Sequence, residues 1–272
     1  MKKSIFKVLA MLLVLVMVLG SIPVSAKAKT VTVTTKAALA EALRDPEPAT
    51  ITFEYNGAGK VVIHSQDGKE SNKKLIIEAS KANINNWANV KSINVKACKS
   101  YTEKGSENVL YVKDKNAKIK IAKNVAVGKI VIQTNKIFID AKDGSSAVIV
   151  AKKSNGKATV KAANGSTLGL SIVKKINLKL RGVDTAFVAL ENKADGTKVT
   201  AYLPILAEFL QDGDLVMKKG SEGSIIDKAN DAIDVEVANQ SEEPVIVLVG
   251  GELPTTNPDD ASTAAIKVEG VN

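Results

Sequence analysis

From Thr50 onward the chain alternates short apolar runs with polar breaks. The runs are four to six residues long and rich in Val and Ile, as in Ile51-Thr52-Phe53, Leu75-Ile76-Ile77, Ile119-Lys120-Ile121, Ile130-Val131-Ile132 and Val148-Ile149-Val150. Gly, Asn, Asp, Ser and Lys separate them. Runs of this length and composition predict β-strands. One series centres on Ile76, Ile93, Val112, Val131, Ile149 and Leu170, with steps of 17, 19, 19, 18 and 21 residues. A second falls between them at Ile84, Ile121, Ile139, Val160 and Leu178; its first step of 37 spans two coils, with a weak strand around Tyr101, and the rest are 18, 21 and 18. Two interleaved series sharing a step near 19 predict an all-β, parallel β-solenoid, each turn stacking its strands on the turn below. A β-sandwich is the competing reading. Asn-Gly or Asp-Gly occurs at Asn56, Asp67, Asp143, Asn155, Asn164, Asp195 and Asp212, and such pairs serve tight hairpins as well as solenoid corners.

Ahead of the strands, Val31 to Thr34 alternates like a short strand. Thr35 is placed to cap a helix over Lys36 to Arg44 with Leu39, Ala42 and Leu43 on one face. Pro46 ends it, because the residue before proline is pushed out of the α region. Earlier still, Lys2, Lys3 and Lys7 precede an apolar stretch from Val8 to Gly20, then Pro23 and the small residues Val24-Ser25-Ala26. This is the layout of a secretory signal, and its 13 apolar residues fall short of the roughly 20 that span a bilayer. Cleavage between Ala26 and Lys27 is expected, followed by release outside the cell membrane.

Four segments result: a signal peptide at 1–26, a basic β-solenoid at 27–182, acidic terminal coils or a small β domain at 183–250, and a linker with a flexible tail at 251–272. The opening from Thr30 to Phe53, a strand, a short Ala/Leu helix and a Thr-Ile-Thr-Phe strand, resembles the N-terminal cap of right-handed parallel β-helix proteins of the pectate-lyase-like kind. Lys74 to Ala79 and Ser92 to Val95 resemble the Lys-rich, adhesin-like solenoids secreted by Gram-positive bacteria. The resemblance covers residues 30–180 and is one of composition more than of motif. It implies a right-handed coil and a secreted or surface-associated solenoid, and for most such proteins no enzyme activity is established.

Charge sharpens this picture once it is divided along the chain. Residues 27–180 hold 28 Lys and Arg against 12 Asp and Glu, a net of +16, while residues 181–272 hold 7 against 17, a net of −10. Such asymmetry points to an anionic partner for the first part or to attraction between opposite ends. Lysines on exposed strand faces also block edge-to-edge association, which is the simpler account of them. Arg44 and Arg181 are the only arginines, which disfavours bidentate recognition of phosphate or carboxylate. Cys98 is the single cysteine, so no internal disulfide forms. It is expected to be a small buried residue rather than a nucleophile, since the one histidine, His64, lies in a separate strand.

No catalytic or metal-binding constellation emerges, and no cofactor is expected. Arg181 with nearby Asp184 is a sparse basis for a polysaccharide lyase of the pectate type, the alternative function. Asp212-Gly213-Asp214 lacks the ligand spacing of a calcium loop, and Gly57-Ala58-Gly59-Lys60 lacks the Ser or Thr and the helix of a phosphate loop. Trp87 is the one candidate aromatic platform, although a core residue filling a corner is the favoured reading. Leu253 to Asn257 resembles a wall-sorting motif without the apolar span that should follow.

The most distinctive constellation is cationic. If Ile84, Ile119, Ile121, Ile139, Val160 and Leu178 point inward, period two sends Lys81, Lys118, Lys120, Lys136, Lys157, Lys161, Lys175 and Lys179 outward on one face. The expected function is non-enzymatic adhesion through that face to an acidic polysaccharide or cell-wall polymer. No nucleic acid and no membrane span are expected, self-association is possible, and a protomer stacking end to end is a third reading. The first strand series is apolar on both sides, so its outer face, with Tyr111, Val131 and Ile149, is expected to be covered.

Overall fold

The computed structural model describes residues 29–65, 71–183, 185–203 and 205–218, and beyond these the strands 223–227, 233–237, 245–249 and 265–268. The leader with its Ala26/Lys27 junction and the Leu253 to Asn257 motif lie outside them.

The chain winds into a parallel β-solenoid, consistent with a right-handed β-helix. Each turn contributes one strand to each of two facing sheets. The first sheet stacks β1 (Lys29–Val33), β2 (Pro48–Glu54), the first halves of β4 (Ser71–Asn86) and β5 (Val90–Glu103), then β6 (Val109–Val112) and β8 (Ala126–Ile132). It continues through β10 (Ser146–Ala151), β12 (Thr167–Ile172), β14 (Phe187–Asn192), β16 (Ile205–Phe209), β18 (Gly223–Asp227) and β20 (Val245–Val249). The second sheet stacks β3 (Gly59–Ile63), the second halves of β4 and β5, β7 (Ala117–Ile121), β9 (Lys136–Ala141) and β11 (Gly156–Ala162). Above these lie β13 (Ile176–Gly182), β15 (Thr197–Tyr202), β17 (Gly213–Met217) and β19 (Ile233–Val237).

Pairing runs in register past residue 183, so the acidic segment carries the last coils of the same solenoid. Within 251–272, where the sequence predicts a loose tail, β21 (Ala265–Val268) pairs antiparallel with β20.

The core is the stack of inward residues between the sheets. Ile119, Ile139, Val160, Leu180 and Ala201 follow one another in register on the second sheet and are all buried. Leu75, Ile93, Leu110, Ile130, Ile149, Leu170 and Leu190 do the same on the first. Full burial of one such side chain stabilises by about 1.5–3 kcal/mol. The N-terminal end is closed by α1 (Lys36–Arg44), whose Thr35 hydroxyl accepts from Ala38 N at 3.1 Å and whose Leu39 and Leu43 are buried. Lys36 Nζ donates to Lys60 O at 2.8 Å, which occupies an acceptor on the open edge of β3. No helix among the described residues is long and apolar enough to cross a membrane.

Among the described residues the Asn-Gly and Asp-Gly pairs turn parallel corners instead of hairpins, and Asp67-Gly68 lies outside them. Gly144 and Gly165 have φ of +65° and +63°, Asn124 has φ +58°, and the three stack through Asn124 N to Asp143 O and Gly144 N to Asn164 O, both 2.9 Å. A Cβ on Gly144 would lie 2.3 Å from Asn124 Oδ1. Gly144→Ala is therefore expected to cost about 1–2 kcal/mol, the left-handed penalty of an L-residue, read as a lower thermal midpoint by circular dichroism.

The outer face of the first sheet differs from its expectation at one residue. Ile149 points inward and is buried; Val148 and Val150 face out. Past a register shift at Gly128 and Lys129, Ile130 and Ile132 point inward; Val131, in register between half-buried Tyr111 and Val150 on the outer face, is also buried.

Candidate functional site

The outer face of the second sheet gathers most of the sequence-derived lysines. Lys118 and Lys120 on β7, Lys136 on β9, Lys157 and Lys161 on β11 and Lys179 on β13 all alternate with buried neighbours and point outward. Lys81 and Lys175 do not join them. Lys81 is exposed at the bend of β4, where its pairing with β5 breaks between Ala79 and Asn83. Lys175 sits in the corner before β13, its Nζ packed over Gly196. A corner residue falls between the two faces, so period-two counting does not place it.

Register resolves the face into columns. One column runs Thr102, Lys120, Asp140, Lys161, Arg181, Tyr202. A second runs Lys118, Phe138, Thr159, Lys179, Thr200, and a third Lys136, Lys157, Asn177, Lys198. Two like-charged pairs therefore stand side by side, Lys136 with Lys157 and Lys161 with Arg181. Strands stack about 4.8 Å apart, and like charges at that separation destabilise a sheet. Relief inside the chain is limited. Asp140 pairs with Lys142 at 2.7 Å and Asp214 with Lys198 at 2.7 Å, but Lys118, Lys120, Lys136, Lys157 and Lys161 have no ion pair among the described residues.

Aromatic rings interleave with these cations, a feature the lysine count alone does not reveal. Phe138 is exposed between Lys118 and Thr159. Lys179 Nζ and Arg181 Cζ lie 5.2 and 5.6 Å from the centre of the Tyr202 ring, within cation–π range. The sequence signal was available in the outward positions of β9 and β15, but only the register puts each ring beside its cations.

Trp87 is not a core residue. It is 47% exposed at the corner after β4, with Lys104 Nζ 4.4 Å above its ring and the exposed His64 stacked at 6.2 Å. Cys98 is half-buried, and burial, followed by the Asp114 carboxylate, pushes its thiol up to about 12. A thiol held there is almost entirely protonated near neutral pH, so it is a poor nucleophile.

Beneath the Trp87 corner lies a buried polar cluster absent from the sequence reading. Glu103 Oε1 accepts from Asn86 Nδ2 at 2.9 Å, Gly105 N at 2.9 Å, Lys104 N at 3.1 Å and Asn108 Nδ2 at 3.2 Å; Oε2 accepts from Tyr101 Oη at 2.7 Å. Burial pushes the carboxyl up to about 7, against the pull of those donors. The cluster explains the weak strand around Tyr101, because Asn86 and Glu103 occupy inward positions that other coils fill with Ile or Ala.

For the lyase reading, Arg181 is exposed on the cationic face, and Asp184 lies outside the described residues. Among the described residues, no group of three or more His, Cys, Asp or Glu side chains could hold a metal ion. No family model, no curated protein and no solved structure matches the chain.

Proposed function

We propose that this is an exported, non-enzymatic surface or extracellular protein that binds an acidic polysaccharide along the outer face of its second sheet. The observation that carries the reading is the pair of in-register cation contacts, Lys136 beside Lys157 and Lys161 beside Arg181, on a face with exposed Phe138 and half-buried Tyr202. A polymer with evenly spaced carboxylates or sulfates would relieve both repulsions at once. Sugar rings stack on aromatic faces, and lysine suits many weak, rotatable contacts better than one rigid fork. The leader-like N-terminus supports export.

The test is salt-dependent binding of the chain 27–272 to polygalacturonate, with a neutral glucan as control. The expected result is retention at low ionic strength and release as salt rises, since the Debye length shrinks to about 8 Å at physiological ionic strength. Changing Lys118, Lys120, Lys161 and Lys179 together to Gln is expected to weaken binding at least tenfold. Four changes on the remaining surface, at Lys91, Lys99, Lys113 and Lys123, should weaken it about twofold. Equal losses from both sets would show that net charge alone attracts the polymer. No retention at low salt would leave the lysines as solubilising residues.

A further inference from the structure

The cations of the second sheet are confined along the solenoid and spread across it. On the N-terminal side, β4 and β5 present the uncharged Asn83, Asn85, Ser100 and Thr102, and Ser100 Oγ donates to Asn83 Oδ1 at 2.7 Å. On the C-terminal side, Lys198 of β15 is held by Asp214 of β17 at 2.7 Å, and Thr200 and Val216 continue the middle column. The lysine face therefore occupies only β7, β9, β11 and β13, a height of about 14 Å at the strand spacing. Across the strands the charge does not stop at the edge of the sheet. The corners leading into β11 and β13 carry Lys152, Lys153 and Lys174, all exposed.

β11 lies inside this band, and its outward residues are Lys157, Thr159 and Lys161. Half-buried Thr159 stands in register between exposed Phe138 and Lys179. Lys179 leans away from it, with its Nζ over the Tyr202 ring of β15. A short side chain between longer ones leaves a shallow furrow along β11. Each end of the furrow has two cations from adjacent strands, Lys157 with Lys136 at one and Lys161 with Arg181 at the other. Lys157 and Lys161 stand about 13 Å apart at the rise of a strand.

A path along the solenoid axis is poorer. Asp140 interrupts the column between Lys120 and Lys161, and Asn177 follows Lys157 before the Lys198–Asp214 pair. Asp140 with Lys142 and Asp214 with Lys198 are each neutral as a pair, so both columns have a gap where a polyanion finds no counter-charge. We infer that the acidic polysaccharide lies along β11, across the solenoid axis, with one sugar over Thr159 against Phe138 and its acid groups at the two cation pairs. From Lys157 the track continues round the corner at Lys152 and Lys153. This assignment rests on the binding activity proposed above and adds the direction of the polymer and the residues that hold it.

The experiment is calorimetric titration of the chain 27–272 with decagalacturonate at low salt, with a melting curve for every variant. Two pairs of changes remove the same charge from the same face. Lys157→Gln with Lys161→Gln, on β11, is expected to weaken binding at least tenfold, and Lys118→Gln with Lys120→Gln, on β7, about twofold. A second comparison adds one carboxylate to the middle column. Thr159→Glu should weaken binding at least tenfold, and Thr200→Glu, two strands further on, about twofold. The exposed lysine pairs decide the question if Thr159→Glu lowers the melting midpoint. Failure of the wild type to bind would overturn both the binding activity and the track. Binding by the wild type with equal losses within either comparison, or a larger loss from the β7 pair, would overturn the track alone.

Discussion

Replacing Glu103 with alanine is expected to destabilise the coils around it by about 2–4 kcal/mol. The donors to Glu103 are unequally exposed to the loss. Lys104 N and Gly105 N also reach Asn86 O, and the amides of Asn86 and Asn108 also reach Ala88 O. The Tyr101 hydroxyl, fully buried, loses its carboxylate acceptor. An unsatisfied buried donor costs about 1–3 kcal/mol, and the space vacated adds a cavity cost. Hydrogen exchange at β4 to β6 is the appropriate readout, because a solenoid can open locally without unfolding throughout.

The same group makes stability depend on pH in a stated direction. Its folded value of about 7 lies above the ordinary 4.5, chiefly through burial, so the folded chain holds a proton that the unfolded chain has released. This contribution is fully present below about pH 4.5 and is lost as pH rises to about 7; at roughly 1.4 kcal/mol per pH unit its size is on the order of 3 kcal/mol. Glu103→Gln keeps an oxygen for the four N–H donors and offers an amide N–H to Tyr101 Oη. It should leave the fold intact and flatten the pH dependence of the melting midpoint between 4.5 and 7. An unchanged slope in that variant would assign the dependence to other groups.

The second large effect is expected in the stacked core. Ile139 sits in register between Ile119 and Val160 and is fully buried, whereas its neighbour Phe138 is 39% exposed on the cationic face. Ile139→Ala should cost about 2–5 kcal/mol, as large-to-small core changes do, because the sheets above and below hold the cavity open. Phe138→Ala should cost under about 1 kcal/mol while weakening polymer retention. A reversal of that order in urea unfolding would contradict the inward and outward assignment of β9, and with it the lysine face.

Several features were legible in the sequence because their causes are local. Thr35, Leu39 and Leu43 specify the capping helix through side chains within one or two turns. Strand period and a step near 19 residues sufficed for a stacked coil, and alternation assigned Ile119, Ile139 and Val160 to the core. Other features depend on neighbours distant in sequence. Asn164-Gly165 has the same backbone preference in a hairpin and in a parallel corner, so only the partner strands decide between them. Coils of 17 to 21 residues shift outward positions by unequal amounts, so counting by twos could not tell that Lys118 stands beside Phe138 or that Lys161 stands beside Arg181. Polar Glu103 was readable as an interruption but not as a buried acid, since Asn86 and Asn108 reach it from preceding and following segments. Local chemistry specified the coil, and contacts between turns decided what each of its faces carries.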